Sequence, residues 1–60
     1  MSALYHWMRT DAVLRAKVAA AKHLLARCKP SERQQHAAAL HAREEHLRVH
    51  QLNKPQENYQ

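Results

Sequence analysis

The sequence predicts an all-α protein, an antiparallel two-helix hairpin that dimerises into a four-helix bundle. Its 60 residues allow one small domain. Alanine, leucine, arginine and glutamine, which favour helices, are frequent. Residues that favour strands and tight turns are scarce, with three valines, one threonine, no isoleucine and no glycine. One strong helix breaker, in the segment CKPSERQ, divides the chain into two helical halves.

The first helix is predicted over about residues 3–28. Ser2 can cap its N-terminus. Thr10-Asp11 is a second possible N-cap, which would leave residues 1–9 as a separate turn or a kinked arm, but we favour one long helix. Residues spaced alternately by three and four form an almost wholly apolar seam. They are Leu4, Trp7, Asp11, Leu14, Val18, Ala21, Leu25 and Cys28. The exception, Asp11, is explained by a kink, a cap or a cation on another helix.

The connection between the helices is predicted at Pro30. Proline disfavours helical geometry in the residue before it, so the first helix should end near Lys29. Ser31 and Gln34 then have the spacing of a capping box for the second helix. Glu32 in its first turn suits the positive end of the helix dipole. A connection this short makes the two helices antiparallel neighbours.

The second helix is predicted over about residues 32–52 and carries two thin apolar seams. The first comprises Ala37, Leu40, Leu47 and Gln51, interrupted by Glu44. The second comprises Ala38, Ala42, Val49 and Leu52. Two seams suit contacts with two partners, the first helix and a helix of another chain. Pro55 forbids continuation, and residues 53–60 are expected to form a disordered polar tail.

Homodimerisation is predicted because two helices alone leave part of their apolar side chains in water. Pairing two hairpins would bury them. The residues expected in this core and dimer seam are Leu4, Leu14, Val18, Leu25, Leu40 and Leu47.

The charge predicts an acidic partner, because the net charge is +5 with the histidines neutral. One alternative function is therefore nucleic-acid binding. Its candidate residues are Arg15, Lys22, Lys29, Arg43 and Arg48. Against this alternative, Glu44 and Glu45 would repel phosphate, and a long hairpin differs from a DNA-binding helix–turn–helix motif.

Four histidines lie in the segment HAAALHAREEHLRVHQL. His46 and His50 are four apart, a spacing that suits two ligands of one zinc ion. However, a third ligand on that face is lacking, and Arg43 would repel a cation. We therefore predict no metal site, with His46 and His50 as its weak candidates, and interpret the histidines as part of a solvated polar face.

No catalytic motif is present, so we expect neither enzyme activity nor a cofactor. The single cysteine, Cys28, suits a reducing compartment such as the cytoplasm. Neither a signal peptide nor a membrane span is expected. Tyr5, Trp7 and Met8 are candidate partner-binding residues, although Trp7 is better interpreted as closing the end of the core.

In its size, its hairpin around CKPSERQQ and its short polar tail, the chain resembles the small basic helical accessory proteins of temperate lambda-like phages, including those of the exo–xis region. That resemblance implies a non-enzymatic protein of the host cytoplasm that modulates host or phage regulation by binding another macromolecule. We therefore expect a small regulatory adaptor that acts by protein–protein interaction.

Overall fold

In the computed structural model, which describes residues 2–55, two α-helices lie side by side and antiparallel. Helix α1 spans Ala3–Arg27, a short 3-10 turn spans Pro30–Glu32, and helix α2 spans Arg33–Leu52. No strand occurs within these residues. The predicted all-α two-helix hairpin is thus confirmed. The part of the predicted tail beyond residue 55 lies outside the described residues.

Helix α1 is continuous through Thr10 and Asp11. Its N-terminus is capped by Ser2, whose Oγ accepts a hydrogen bond from the backbone N–H of Tyr5 at 3.1 Å. Within α1, the side chains that are not exposed are the first seven of the predicted seam, and the eighth, Cys28, is half-buried at the C-cap. Only Leu14, Val18 and Ala21 among the described residues are buried, and they form the centre of the core.

The turn differs from the predicted one in its capping. Ser31 lies inside the 3-10 turn, so the capping box expected from Ser31 and Gln34 is wrong. Lys29 takes the capping position instead, and its backbone N–H donates to the Glu32 carboxylate at 3.4 Å. The physical reason is Pro30, whose fixed φ starts a helical turn before Ser31 can act as a cap.

Helix α2 packs through a face that differs slightly from the predicted first seam. Leu40 and Leu47 are half-buried, as expected for that seam, but Ala37 and Gln51 are exposed. Their neighbours His36 and His50 take the half-buried positions. The second predicted seam is exposed, with Val49 and Leu52 at 43% and 72%. The polar-face interpretation is therefore wrong for two of the four histidines.

Candidate interaction site

The free ends of the hairpin are joined by a contact between Trp7 on α1 and His50 on α2. The two rings are stacked, with centroids 4.5 Å apart and planes inclined by 10°. The Trp7 indole N–H also donates to the backbone carbonyl of His50 at 3.0 Å. The Lys54 ammonium lies 5.5 Å from the Trp7 ring centroid. Trp7 therefore packs within the hairpin and closes its open end, in line with the interpretation that it closes the end of the core.

Asp11, the one polar residue of the α1 seam, lies in the same cluster. One carboxylate oxygen accepts from Arg15 Nε at 2.6 Å. The other lies 3.6 Å from His50 Nε2, and both of these atoms are buried without a hydrogen-bond partner. At 3.6 Å these two atoms do not form a hydrogen bond, so the contact places two polar atoms together inside the seam without satisfying either. Helix α1 does not begin at Asp11, so the cap explanation is wrong. The cation hydrogen-bonded to Asp11 is Arg15 of the same helix, and the group that approaches it from the other helix is His50.

Sequence reasoning missed the role of His50. A signal for it exists in the sequence, because Asp11 and His50 occupy matching levels of an antiparallel hairpin. A carboxylate in a seam favours a basic group opposite it. His50 is the basic residue of α2 at the level of Asp11, so it was the candidate for this contact.

The histidines do not converge into a metal site within residues 2–55. No group of three or more potential ligand side chains is placed to hold an ion there. His50 stacks on Trp7, whereas His46 is exposed on α2. His46 and His50, whose four-residue spacing suits two zinc ligands, therefore lie in different environments.

Tyr5 and Met8, the other candidate partner-binding residues, are 48% and 57% exposed. The Tyr5 ring lies edge-on to His6, with centroids 6.0 Å apart, and the Arg9 guanidinium lies 5.9 Å from its centroid. This arrangement leaves an amphipathic aromatic ring beside a cation at the open end of the hairpin. It is available to a partner, unlike the ring of Trp7.

The candidate nucleic-acid residues do not form one set of free cations. Arg15 is paired with Asp11, and Arg48 is paired with Glu45. The others, Lys22, Lys29 and Arg43, are exposed. Two of the five predicted phosphate contacts would therefore compete with a carboxylate of the same chain, which weakens the nucleic-acid alternative.

The Glu45–Arg48 pair gives a pH-dependent prediction. The hydrogen bond with Arg48, aided by its charge, lowers the pKa of Glu45 from its usual 4.5. A lowered carboxyl pKa stabilises the folded state above the unfolded pKa, and this stabilisation is lost as pH falls through the folded pKa. We expect Glu45→Gln to lower Tm slightly at neutral pH and low salt, and this effect to shrink as pH falls below the unfolded pKa of 4.5 or as salt rises, because the pair is exposed.

Thermal unfolding followed by circular dichroism checks this effect. The matched control is Glu44→Gln, which removes the neighbouring exposed carboxylate and should show no such pH-dependent loss. A Tm difference for Glu45→Gln that does not shrink as pH falls below 4.5, nor as salt rises, would show that the contact is not ionic.

Neither helix of residues 2–55 contains a stretch long and apolar enough to cross a membrane. No family model, curated protein or solved structure matches this chain.

Proposed function

We propose that this chain is a small non-enzymatic adaptor that acts through protein–protein contacts and assembles as a homodimer. The observation that carries the proposal is the small core. Only Leu14, Val18 and Ala21 of residues 2–55 are buried. Six large apolar side chains of the described residues are exposed, and they are Tyr5, Met8, Val13, Leu24, Val49 and Leu52. The resemblance to phage accessory proteins extends this proposal to regulation in the cytoplasm of a host cell.

The exposed surface area supports self-association. The accessible surface is 5051 Å², whereas a compact monomer of 7.0 kDa exposes about 4000 Å². The excess of roughly 1000 Å² reflects the elongated shape of the hairpin, whose two helices shelter only a small core. This leaves apolar surface on both helices that a partner, including a second copy, can cover in part.

The exposed second seam of α2 is the surface that we assign to the dimer. Ala38 and Ala42 are small and allow a second backbone to come close, while Val49 and Leu52 supply apolar area. In a two-fold symmetric, antiparallel pair of α2 helices, the small residues of one copy lie opposite the large residues of the other. Because this seam faces away from α1, the two α2 helices would lie in the middle of the dimer and the two α1 helices on its outside.

Sedimentation velocity tests the dimer. We expect wild type to sediment at about twice the 7.0 kDa chain mass at micromolar concentration. Val49→Lys should shift it to the monomer mass, because a charge is placed at the centre of the apolar contact. The matched control is Val13→Lys, since Val13 is similarly exposed, at 53% against 43%, but lies on α1. A monomeric wild type, or loss of the dimer in both variants, contradicts the proposed interface.

A mobility-shift series with random DNA and RNA separates the adaptor from the nucleic-acid alternative. Phosphate binding through several lysines and arginines weakens steeply as salt rises. We expect little binding near physiological salt. Strong binding that falls steeply with salt, and that falls with Lys22→Glu, would favour the alternative instead.

A further inference from the structure

A groove between the two helices, on the half of the hairpin nearest the turn, has an apolar floor and a cationic end. Its volume is about 170 Å³, enough for one large aliphatic side chain. Its lining residues are Lys17, Ala20, Ala21, Leu24, His36, Ala39 and Arg43. We call this the inter-helix groove. It differs from the α2 seam assigned to the dimer.

The groove is polarised along its length. Lys17 and Arg43 lie at matching levels of the antiparallel helices, and Leu24 and His36 lie at matching levels nearer the turn. Seven residues separate Lys17 from Leu24, or roughly 10 Å of helix. The cations are therefore at one end and the exposed leucine, at 54%, is at the other.

The two cations of the groove are available for a partner. Among residues 2–55, the ion pairs between permanently charged side chains join Arg15 to Asp11 and Arg48 to Glu45, and neither Lys17 nor Arg43 takes part. No carboxylate lines the groove. Its charge complement is therefore an anionic ligand.

The apolar floor selects among anionic ligands. Phosphate chains would meet the cations but leave the surface of Leu24 and the alanines in water. A second copy of this chain would bring two more cations against Lys17 and Arg43, which like-charge repulsion disfavours. An amphipathic helix carrying an aliphatic residue and a carboxylate about two turns apart satisfies both ends, and the small alanines let its backbone approach.

We propose that the inter-helix groove binds an acidic amphipathic helix of a partner protein. An aliphatic side chain of that helix packs between Leu24 and Ala39, and a carboxylate about two turns away pairs with Lys17 and Arg43. This inference names the partner class for the adaptor function proposed above and so rests on it.

Fluorescence anisotropy with three labelled 16-residue peptides tests the groove. The first is a helical peptide of leucine, alanine and glutamate, with leucine and glutamate seven positions apart on one face. The second replaces its leucines by alanine, and the third replaces its glutamates by lysine. The full-length protein should bind the first peptide, and bind the other two about tenfold more weakly or not at all.

Two charge-reversed proteins locate the binding site. Lys17→Glu with Arg43→Glu should weaken binding of the acidic peptide by about tenfold or more. Lys22→Glu with Arg33→Glu changes the net charge equally at exposed positions outside the groove and should have little effect. Circular dichroism verifies that both variants stay helical.

Equal binding to both charge-reversed proteins, or equal binding of the three peptides, would overturn the groove proposal. Binding of a single-stranded DNA that depends on Lys17 and Arg43 as strongly as binding of the acidic peptide would also overturn the proposal. It would reveal an anion site in which the apolar floor has no role. Repeating the titration with Val49→Lys separates the two proposals. Peptide binding by the Val49→Lys monomer would support the groove proposal independently of the dimer proposal. A wild-type protein that dimerises but does not bind the peptide would overturn the groove proposal and leave the dimer proposal standing.

Discussion

Replacing Leu14 by alanine is expected to lower the free energy of unfolding by about 2–5 kcal/mol. Leu14 is the least exposed core residue, at 5%, and only Val18 and Ala21 share its burial among the described residues. Truncating a buried leucine costs about 2–5 kcal/mol, through lost burial and the cavity left behind. A domain of 60 residues has a free energy of unfolding of roughly 3–9 kcal/mol. The substitution therefore removes a large share of the total stability.

Urea unfolding followed by circular dichroism measures this loss. Leu24→Ala makes the same chemical change on the same helix, at a side chain that is 54% exposed. Because both variants exchange leucine for alanine within α1, the difference between them isolates burial from helix propensity. We expect Leu24→Ala to change the free energy of unfolding by about 0.5 kcal/mol or less. Equal losses in the two variants would show that Leu14 does not anchor the core.

The register of α1 could be predicted from the sequence because its seam is long. Eight positions follow one helical repeat from Leu4 to Cys28, and the structure keeps these eight from full exposure. Over seven turns of helix, a shift by one residue would replace leucines by arginine and alanine. A pattern of this length therefore admits only one inward face.

The inward face of α2 was harder to predict because only Leu40 and Leu47 anchor it. Alanines surround them, and alanine does not distinguish an inward face from an outward one. The choice of His50 over Gln51 depends on contacts with Trp7 and Asp11, which are distant in sequence. Information of this kind lies in the pairing of the helices, and the periodicity of either helix alone does not contain it.

The inter-helix groove was beyond sequence reasoning for a related reason. Lys17 and Arg43 belong to different helices, and each by itself resembles an ordinary charged residue on a solvated face. Only the antiparallel alignment places them at one level, beside the apolar floor near Leu24. The candidate nucleic-acid residues were chosen from the charge of the sequence without its pairing of helices, so they do not describe a surface that both helices build.

Replacing Trp7 by alanine is the second large effect that we expect, and it tests whether the free ends of the hairpin are held together by one side chain. The substitution removes the stack on His50, the hydrogen bond to the His50 carbonyl and the contact with Lys54. Burial of an aromatic side chain and its hydrogen bond together support a loss of about 2–4 kcal/mol. Amide hydrogen exchange should show the protection loss concentrated at the N-terminal turns of α1 and the C-terminal turns of α2.

Two companion variants make the Trp7 result specific. Trp7→Phe keeps a ring to stack on His50 but has no N–H donor, so we expect it to cost about 1 kcal/mol, mainly the lost hydrogen bond. Tyr5→Ala removes an aromatic ring two residues away that is 48% exposed, and it should change the free energy of unfolding by about 0.5 kcal/mol or less. The expected order of destabilisation is therefore Trp7→Ala, then Trp7→Phe, then Tyr5→Ala. If Tyr5→Ala destabilises the protein as much as Trp7→Ala, the ends are held by a general aromatic cluster, and the stack on His50 has no special role.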